Sequence, residues 1–270
     1  MNPVLRRIVF GIALLCWSMV MLYFYGSGRI VKYLAPDFRI ITLLGALGLL
    51  VTSGFILITA RRKVACGHDH DDGGCHAHEE TDVPPWIALV LMLAPVALAV
   101  GWTKDQYSIA TLERKGLYET PSSSQVFFGN SMPVLTREQI ESSHRKTADG
   151  FYEFSLMELF FSAGDRAMQG VIDGMKVETE GRWVDEKVRN PNGTRKRLYR
   201  LFMTCCAADS QAVPIVLEFN APPPEFPANG WVKVSGTMTY PLEDGRIQPL
   251  LVVERVLAAE APYEETFLRN

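Results

Sequence analysis

Three long runs without a charged residue set the strongest limit on how this chain can fold. They cover residues 8–25, 40–60 and 85–102, so each is 18 to 21 residues long. A helix of about 17–25 apolar residues crosses the hydrocarbon core of a bilayer, whereas a buried helix of a soluble protein rarely stays uncharged on every face over that length. The sequence therefore predicts a three-helix membrane domain over residues 1–103, surrounded by a lipid bilayer.

The first apolar run follows Arg6 and Arg7, as the apolar region of a signal peptide would. It lacks an Ala-x-Ala cleavage site, and Cys16 follows Leu15 where a lipoprotein signal requires a small residue. We therefore expect this run to be retained as a membrane anchor.

Basic residues cluster on one side of the first two runs. Arg6 and Arg7 precede the first run, and the Arg-Arg-Lys cluster at residues 61–63 follows the second. The positive-inside rule assigns such clusters to the cytoplasmic side. We therefore expect a cytoplasmic N-terminus and a cytoplasmic loop over residues 61–84. Three crossings then put the C-terminal domain outside the cytoplasmic membrane.

The loop contains a segment rich in metal-binding side chains, CGHDHDDGGCHAH at residues 66–78. Imidazole and thiolate bind borderline and soft metals, and each half of the segment repeats a Cys and a His-x-His group. Zinc is the ion we expect, because it is the commonest ion held by mixed Cys and His ligands. A solvated loop that binds metal loosely or not at all is the alternative. The expected ligands are Cys66, His68, His70, Cys75, His76 and His78.

The charge balance argues against binding of nucleic acid. The chain has 270 residues with 27 basic and 30 acidic side chains, and residues 103–270 hold 19 basic and 23 acidic ones. A polyanion-binding domain needs a net positive surface. The five cysteines show no framework spacing, so a disulfide scaffold is not expected either.

From about residue 174 onward, apolar and polar residues alternate as in half-buried strands. Five short strands are typical of a small OB-like barrel, and a β-sandwich is the alternative. We expect an all-β, OB-like domain over residues 171–270, after a mixed helical connector over residues 104–170 in which Thr136 and Gln139 have capping-box spacing. The expected strands are 175–184, 197–205, 213–219, 231–240 and 250–257, with turns at Asn192-Gly193 and Asp244-Gly245.

A second group of chemically active residues closes the second expected strand: Cys205, Cys206 and Asp209. Neighbouring side chains on a strand point to opposite faces, so the two cysteines are not expected to hold one metal together. One thiol would then lie in the core. The other would be exposed near Asp209, where it contacts a metal, a solute or a partner.

Three segments of the chain resemble a bacterial family of permease subunits from two-component membrane complexes. They are YLAPDF at residues 33–38, LAP at residues 93–95 behind the His-rich loop, and FMTCCAADSQ at residues 202–211. The resemblance implies N-terminal membrane helices and a C-terminal OB-like domain that carries the TCCAAD motif. It also implies a partner, a larger multi-helix permease encoded nearby.

We therefore expect a non-catalytic membrane subunit of a permease complex in the bacterial cytoplasmic (inner) membrane, with a Cys/His loop that binds or buffers a transition metal. A free-standing, membrane-anchored metal-delivery protein is the alternative. A membrane thiol oxidoreductase using Cys205 and Cys206 is a third hypothesis, although the sequence has no Cys-x-x-Cys pair and no thioredoxin-like βαβ pattern.

Overall fold

The computed structural model describes residues 3–60, 84–102, 107–119 and 136–268. The chain divides into two compact units, Met1–Gln106 and Tyr107–Asn270. The Cys/His segment at residues 66–78 lies outside the described residues, and so do the six metal ligands expected there.

The described part of the N-terminal unit contains three apolar helices: α1 (Pro3–Gly26), α2 (Pro36–Thr59) and α3 (Pro85–Trp102). A short 3₁₀ turn at Arg29–Lys32 joins α1 to α2. The indole N–H of Trp17 on α1 donates to the carbonyl oxygen of Met92 on α3 at 3.1 Å. Hydrogen bonding of this kind satisfies polar groups that an apolar surrounding would otherwise leave without a partner.

Small residues allow α1 and α2 to pack closely. The hydroxyl of Ser18 donates to the carbonyl oxygen of Ala46 at 2.8 Å, and the hydroxyl of Ser53 donates to that of Gly11 at the same distance. Both serines are fully buried. A Cβ added at Gly11 would lie 2.8 Å from a methyl carbon of Leu57, so the Leu57 side chain would have to shift to admit it. Small residues at helix contacts have this function in membranes.

Among the described residues, two helices are long and apolar enough to cross a membrane, Val4–Gly26 and Pro36–Thr59. The prediction of three such helices is corrected here. The third, Trp86–Trp102, is a shorter apolar helix. Its 17 residues lie at the lower end of the about 17–25 residues that cross a bilayer core.

Within its described residues, the C-terminal unit has four short helices before strand β2 (Lys176–Asp185), each preceded by a residue type that caps helices. Thr136 and Gln139 form the capping box that the sequence predicted, and Ser155 and Glu158 form a second one. Each box satisfies backbone N–H groups at the start of its helix. The helices are α4 (Ile109–Arg114), α5 (Arg137–Ser143), α6 (Leu156–Ser162) and α7 (Arg166–Ile172).

The strands of this unit, as far as the structure describes it, form a seven-stranded mixed sheet and a separate two-stranded hairpin. The hairpin, β6 with β7, contains the turn predicted at Asp244-Gly245, where both residues have positive φ. The strands are β1 (Tyr152–Glu153), β2 (Lys176–Asp185), β3 (Arg195–Met203), β4 (Gln211–Glu218), β5 (Trp231–Thr239), β6 (Leu242–Glu243), β7 (Arg246–Ile247), β8 (Leu250–Ala258) and β9 (Thr266–Leu268).

The main sheet has the order β1-β2-β5-β8-β4-β3-β9, with a further pairing between β2 and β3. Three of its pairings are parallel: β1 with β2, β4 with β8, and β3 with β9. The expectation of an all-β domain with five strands is therefore corrected to a mixed sheet accompanied by helices. The two extra strands are two or three residues long and pair with residues far along the chain, which alternation over a short window does not reveal.

The core of the unit lies between the sheet and helices α6 and α7. Leu198, Ile215 and Val234 on the strands are fully buried, and so are Leu159 on α6 and Ile172 on α7. Burial of such side chains contributes about 1.5–3 kcal/mol each relative to exposure. This core fixes the ends of β3 and β4, and with them the turn that joins these strands.

Candidate functional site

Cys205, Cys206 and Asp209 lie in the turn over residues 204–210, which joins the antiparallel strands β3 and β4. Strand β3 ends at Met203, two residues before the end that alternation predicted. The rule that neighbouring side chains point to opposite faces therefore does not apply, and the expectation that the two cysteines diverge is wrong. Instead, donor atoms of all three side chains lie within 4.8 Å of one another.

The carboxylate of Asp209 organises this turn. It accepts the backbone N–H of Thr204 at 3.2 Å, of Cys205 at 2.8 Å and of Cys206 at 3.4 Å. Aspartate commonly stabilises turns by accepting nearby N–H groups in this way. Because the chain wraps around one carboxylate, the cysteine side chains are brought to the same side of the turn as Asp209.

The thiol of Cys205 donates to the carboxylate of Asp209. This hydrogen bond raises the pKa of Cys205 to about 12, and a contact with the neighbouring Cys206 adds to the shift. Burial alone would raise the pKa of Asp209, but the thiol and the three N–H donors outweigh it and hold that pKa below its usual range. A hydrogen bond to the charged form of an acid has this effect. The turn therefore contains a protonated Cys205 beside a charged carboxylate.

Lys115 holds the other side of the turn. Its ammonium group donates to the carbonyl oxygens of Ala207 at 3.0 Å, Ala208 at 3.3 Å and Ser210 at 2.9 Å. The hydroxyl of Tyr107 donates to Ala207 as well, at 3.1 Å. Burial lowers the pKa of Lys115, although the charges of Asp209 and Cys206 oppose this. The carbonyl face of the turn is thus fixed by one cation.

Sequence reasoning missed Lys115, since it lies more than 90 residues before the carbonyl groups it contacts. Its position just after the short helix α4 carries no motif that would have identified it. Its own carbonyl oxygen accepts the N–H of Ala212 at 2.7 Å, at the start of β4. Residues 107–119 therefore pack against the hairpin that contains the turn.

Two sulfur donors and one oxygen donor at these distances could hold a metal ion. Cys205 and Cys206 are free thiols and are half-buried, so they remain within reach of solvent. Within the part of the chain that the structure describes, this is the one group of three or more Cys, His, Asp or Glu side chains whose donor atoms converge. The six ligands expected at residues 66–78 lie outside that part.

Comparison with solved structures finds a DUF3299 family protein from Pseudomonas aeruginosa PAO1. It is 14% identical over 48% of this chain and 98% of its own chain, with a TM-score of 0.25, and at that value the likeness indicates nothing about fold or function. No curated protein matches the chain. The turn with its two cysteines, however, falls inside a family match: residues 170–266 are similar to the DUF1980 C-terminal domain.

Proposed function

We propose that this protein is a non-catalytic membrane subunit of a transport complex, in which its apolar helices dock against a multi-helix permease encoded nearby. The observation that carries this proposal is the surface of the α1–α2 pair. Ser18 and Ser53 point inward and bond across the helix pair, whereas Val51 is 72% and Ile58 is 76% exposed on α2. Such outward apolar side chains require lipid or other helices around them.

The proposal extends to location and orientation. The basic clusters around the first two helices support a cytoplasmic N-terminus in the bacterial cytoplasmic (inner) membrane, with the loop over residues 61–84 on the same side. That loop would bind or buffer a transition metal, zinc in the first place, through Cys66, His68, His70, Cys75, His76 and His78.

The C-terminal unit would cap the permease as a small OB-like domain. Strand pairings that run from β2 through β5, β8, β4 and β3 and return to β2 support a barrel of this kind. Lys187, Arg195 and Arg197 on the first hairpin are each paired with a carboxylate, so we do not propose nucleic acid as a partner.

Photo-crosslinking in intact cells tests the subunit role. A photoreactive residue at Val51 or Ile58, on the exposed side of α2, should crosslink to a larger multi-helix protein. The same residue at Ala46, which is fully buried against α1, is the matched control and should crosslink only within the chain. If both exposed positions give only lipid adducts and the protein purifies alone in mild detergent, the subunit role is wrong, and a free-standing metal-delivery protein takes its place.

A further inference from the structure

We propose that the turn over residues 204–210 is a metal site of its own, in which Cys205, Cys206 and Asp209 together bind one borderline or soft divalent cation of the zinc class. This site is separate from the Cys/His segment at residues 66–78. It does not depend on the transport role, because it rests on the geometry of the C-terminal unit alone.

The donor atoms decide the class of ion. Two thiolates and a carboxylate suit Zn²⁺, Co²⁺ or Cd²⁺, whereas Mg²⁺ and Ca²⁺ require oxygen ligands. With metal–sulfur distances of about 2.3 Å and a metal–oxygen distance of about 2.1 Å, neighbouring donors of a tetrahedral site lie about 3.5–3.8 Å apart. The donors of the turn already lie within 4.8 Å of one another, so movements of about 1 Å bring them to one ion.

The charge of the ligand set fits its surroundings. Binding breaks two S–H bonds and forms two metal–sulfur bonds, and both protons leave to solvent, so no oxidant or reductant is needed. Two thiolates and the carboxylate then carry three negative charges against the two positive charges of the ion. The loaded turn is still negative overall and continues to attract the ammonium group of Lys115, which contacts the opposite side of the same turn.

Three protein ligands leave the fourth tetrahedral position of the ion open. Structural zinc sites are closed by four protein ligands, whereas a site with three keeps a position for water or an incoming ligand. Cys205, Cys206 and Asp209 are half-buried, so solvent reaches these ligands. The site is therefore suited to an ion that arrives and leaves.

Lys115 acts as a positioning residue for this site. Its three hydrogen bonds to carbonyl oxygens, together with the bond from Tyr107, hold the turn in shape before an ion arrives. Groups that orient metal ligands typically change metal affinity by 10–100-fold when they are removed. Lys115 lies outside residues 170–266, so the complete site includes a residue beyond the matched domain.

Cobalt titration tests the site in the full-length protein in detergent. The starting variant has Cys66 and Cys75 replaced by Ser and the four loop histidines by Ala, so that Cys16, Cys205 and Cys206 are the remaining thiols. One Co²⁺ should bind and give a thiolate-to-metal charge-transfer band with visible bands of tetrahedral cobalt. Cys205→Ser and Cys206→Ser should each reduce the charge-transfer band, and Cys16→Ser, the matched control on α1, should leave it unchanged.

A folded starting variant that gives no sulfur band, or a band that Cys16→Ser reduces as much as Cys205→Ser, would overturn the site. The crosslinking result would be untouched by that failure. Asp209→Asn should weaken binding and keep the charge-transfer band, because both sulfur ligands remain.

A second pair of variants tests Lys115. Lys115→Met should weaken cobalt affinity at least tenfold, and Lys115→Arg should recover part of the loss, since a guanidinium can also donate to carbonyl oxygens. Lys187→Met is the matched control, because Lys187 pairs with Glu113 on the same segment at 2.6 Å and has no contact with the turn among the described bonds. Equal affinity in Lys115→Met and Lys187→Met would overturn the positioning role.

Discussion

The guanidinium of Arg197 and the carboxylate of Glu186 form an ion pair 2.6 Å long with side chains only 4% and 1% exposed. Arg197 also donates to the carbonyl oxygen of Leu117 at 2.8 Å, in the segment that carries Lys115. Burial lowers the pKa of Arg197, and the charge of Glu186 opposes this shift. The pair therefore joins the first hairpin to residues 107–119.

Removing one partner of this pair should be costly. Glu186→Ala leaves a buried guanidinium without its carboxylate, and we expect the free energy of unfolding to fall by about 3–5 kcal/mol. Arg137→Ala, which breaks the exposed pair with Glu141, is the control and should cost less than about 1 kcal/mol. Hydrogen exchange of β3 in the full-length protein measures both. Similar losses in the two variants would contradict the prediction.

Alkaline pH should destabilise the C-terminal unit through Tyr199. Burial raises the pKa of Tyr199 to about 12, compared with about 10 in an unfolded chain. The folded state favours the neutral phenol of Tyr199. The stability that this preference contributes is fully present below about pH 10 and is lost as the pH rises toward 12. The total loss is about 3 kcal/mol. Burial also raises the pKa of Tyr240, so part of the alkaline loss has a second source.

Tyr199→Phe should reduce this pH dependence and, near pH 8, should cost about 1 kcal/mol, because the hydroxyl no longer donates to Asn229 at 3.0 Å. Tyr263→Phe is the control, since that side chain is 78% exposed. Denaturant unfolding at several pH values between 8 and 12 gives the measurement. An alkaline loss that is the same in Tyr199→Phe and the wild type would contradict the assignment.

Substitution by alanine should change stability in opposite directions at two glycines. Gly236 lies at the irregularity between β5 and β8, and a Cβ there would be 2.1 Å from the carbonyl oxygen of Val252, so Gly236→Ala should destabilise the unit by more than 2 kcal/mol. Gly170 on α7 has open space around it, so Gly170→Ala should stabilise by about 0.5–1 kcal/mol. Thermal unfolding compares the two, and a stable Gly236→Ala protein would refute the steric argument.

The buried serines of the α1–α2 pair should contribute modestly to its free energy of unfolding. Ser18→Ala and Ser53→Ala each remove one hydrogen bond to a carbonyl oxygen, and such bonds average about 0.6 kcal/mol in membranes. Gly11→Leu should be far more disruptive, because Leu57 already fills the space beside Gly11. Unfolding in mixed detergent micelles measures all three. A Gly11→Leu protein as stable as Ser18→Ala would show that α1 and α2 do not pack as described.

The features that short windows of sequence specify were predicted well. Alternation predicted a strand at residues 175–184, and β2 covers Lys176–Asp185. The capping box at Thr136 and Gln139 formed as its spacing indicated. Both depend on residues within a few positions of one another, where propensity and hydrogen bonding are local.

The candidate site could be predicted only as residue types. The geometry of the site follows from Asp209, whose carboxylate accepts three backbone N–H groups. These hydrogen bonds favour a turn, so β3 ends two residues before the predicted end. The alternation of apolar and polar residues gives no sign of this competition between turn and strand. Lys115 contacts the turn at the carbonyl oxygen of Ala207, which lies 92 residues later in the chain. Such pairings depend on the assembled sheet.

Strand β9 also bears on how the turn is made in the cell. Thr266 pairs with Leu201 on the strand that leads into the turn, 65 residues earlier in the chain. At about 5–20 residues per second, a ribosome needs roughly 3 to 13 s to add that length. During this interval one edge of β3 lacks its neighbour while Cys205 and Cys206 already exist. The two thiols are thus open to oxidants before the sheet around them is complete.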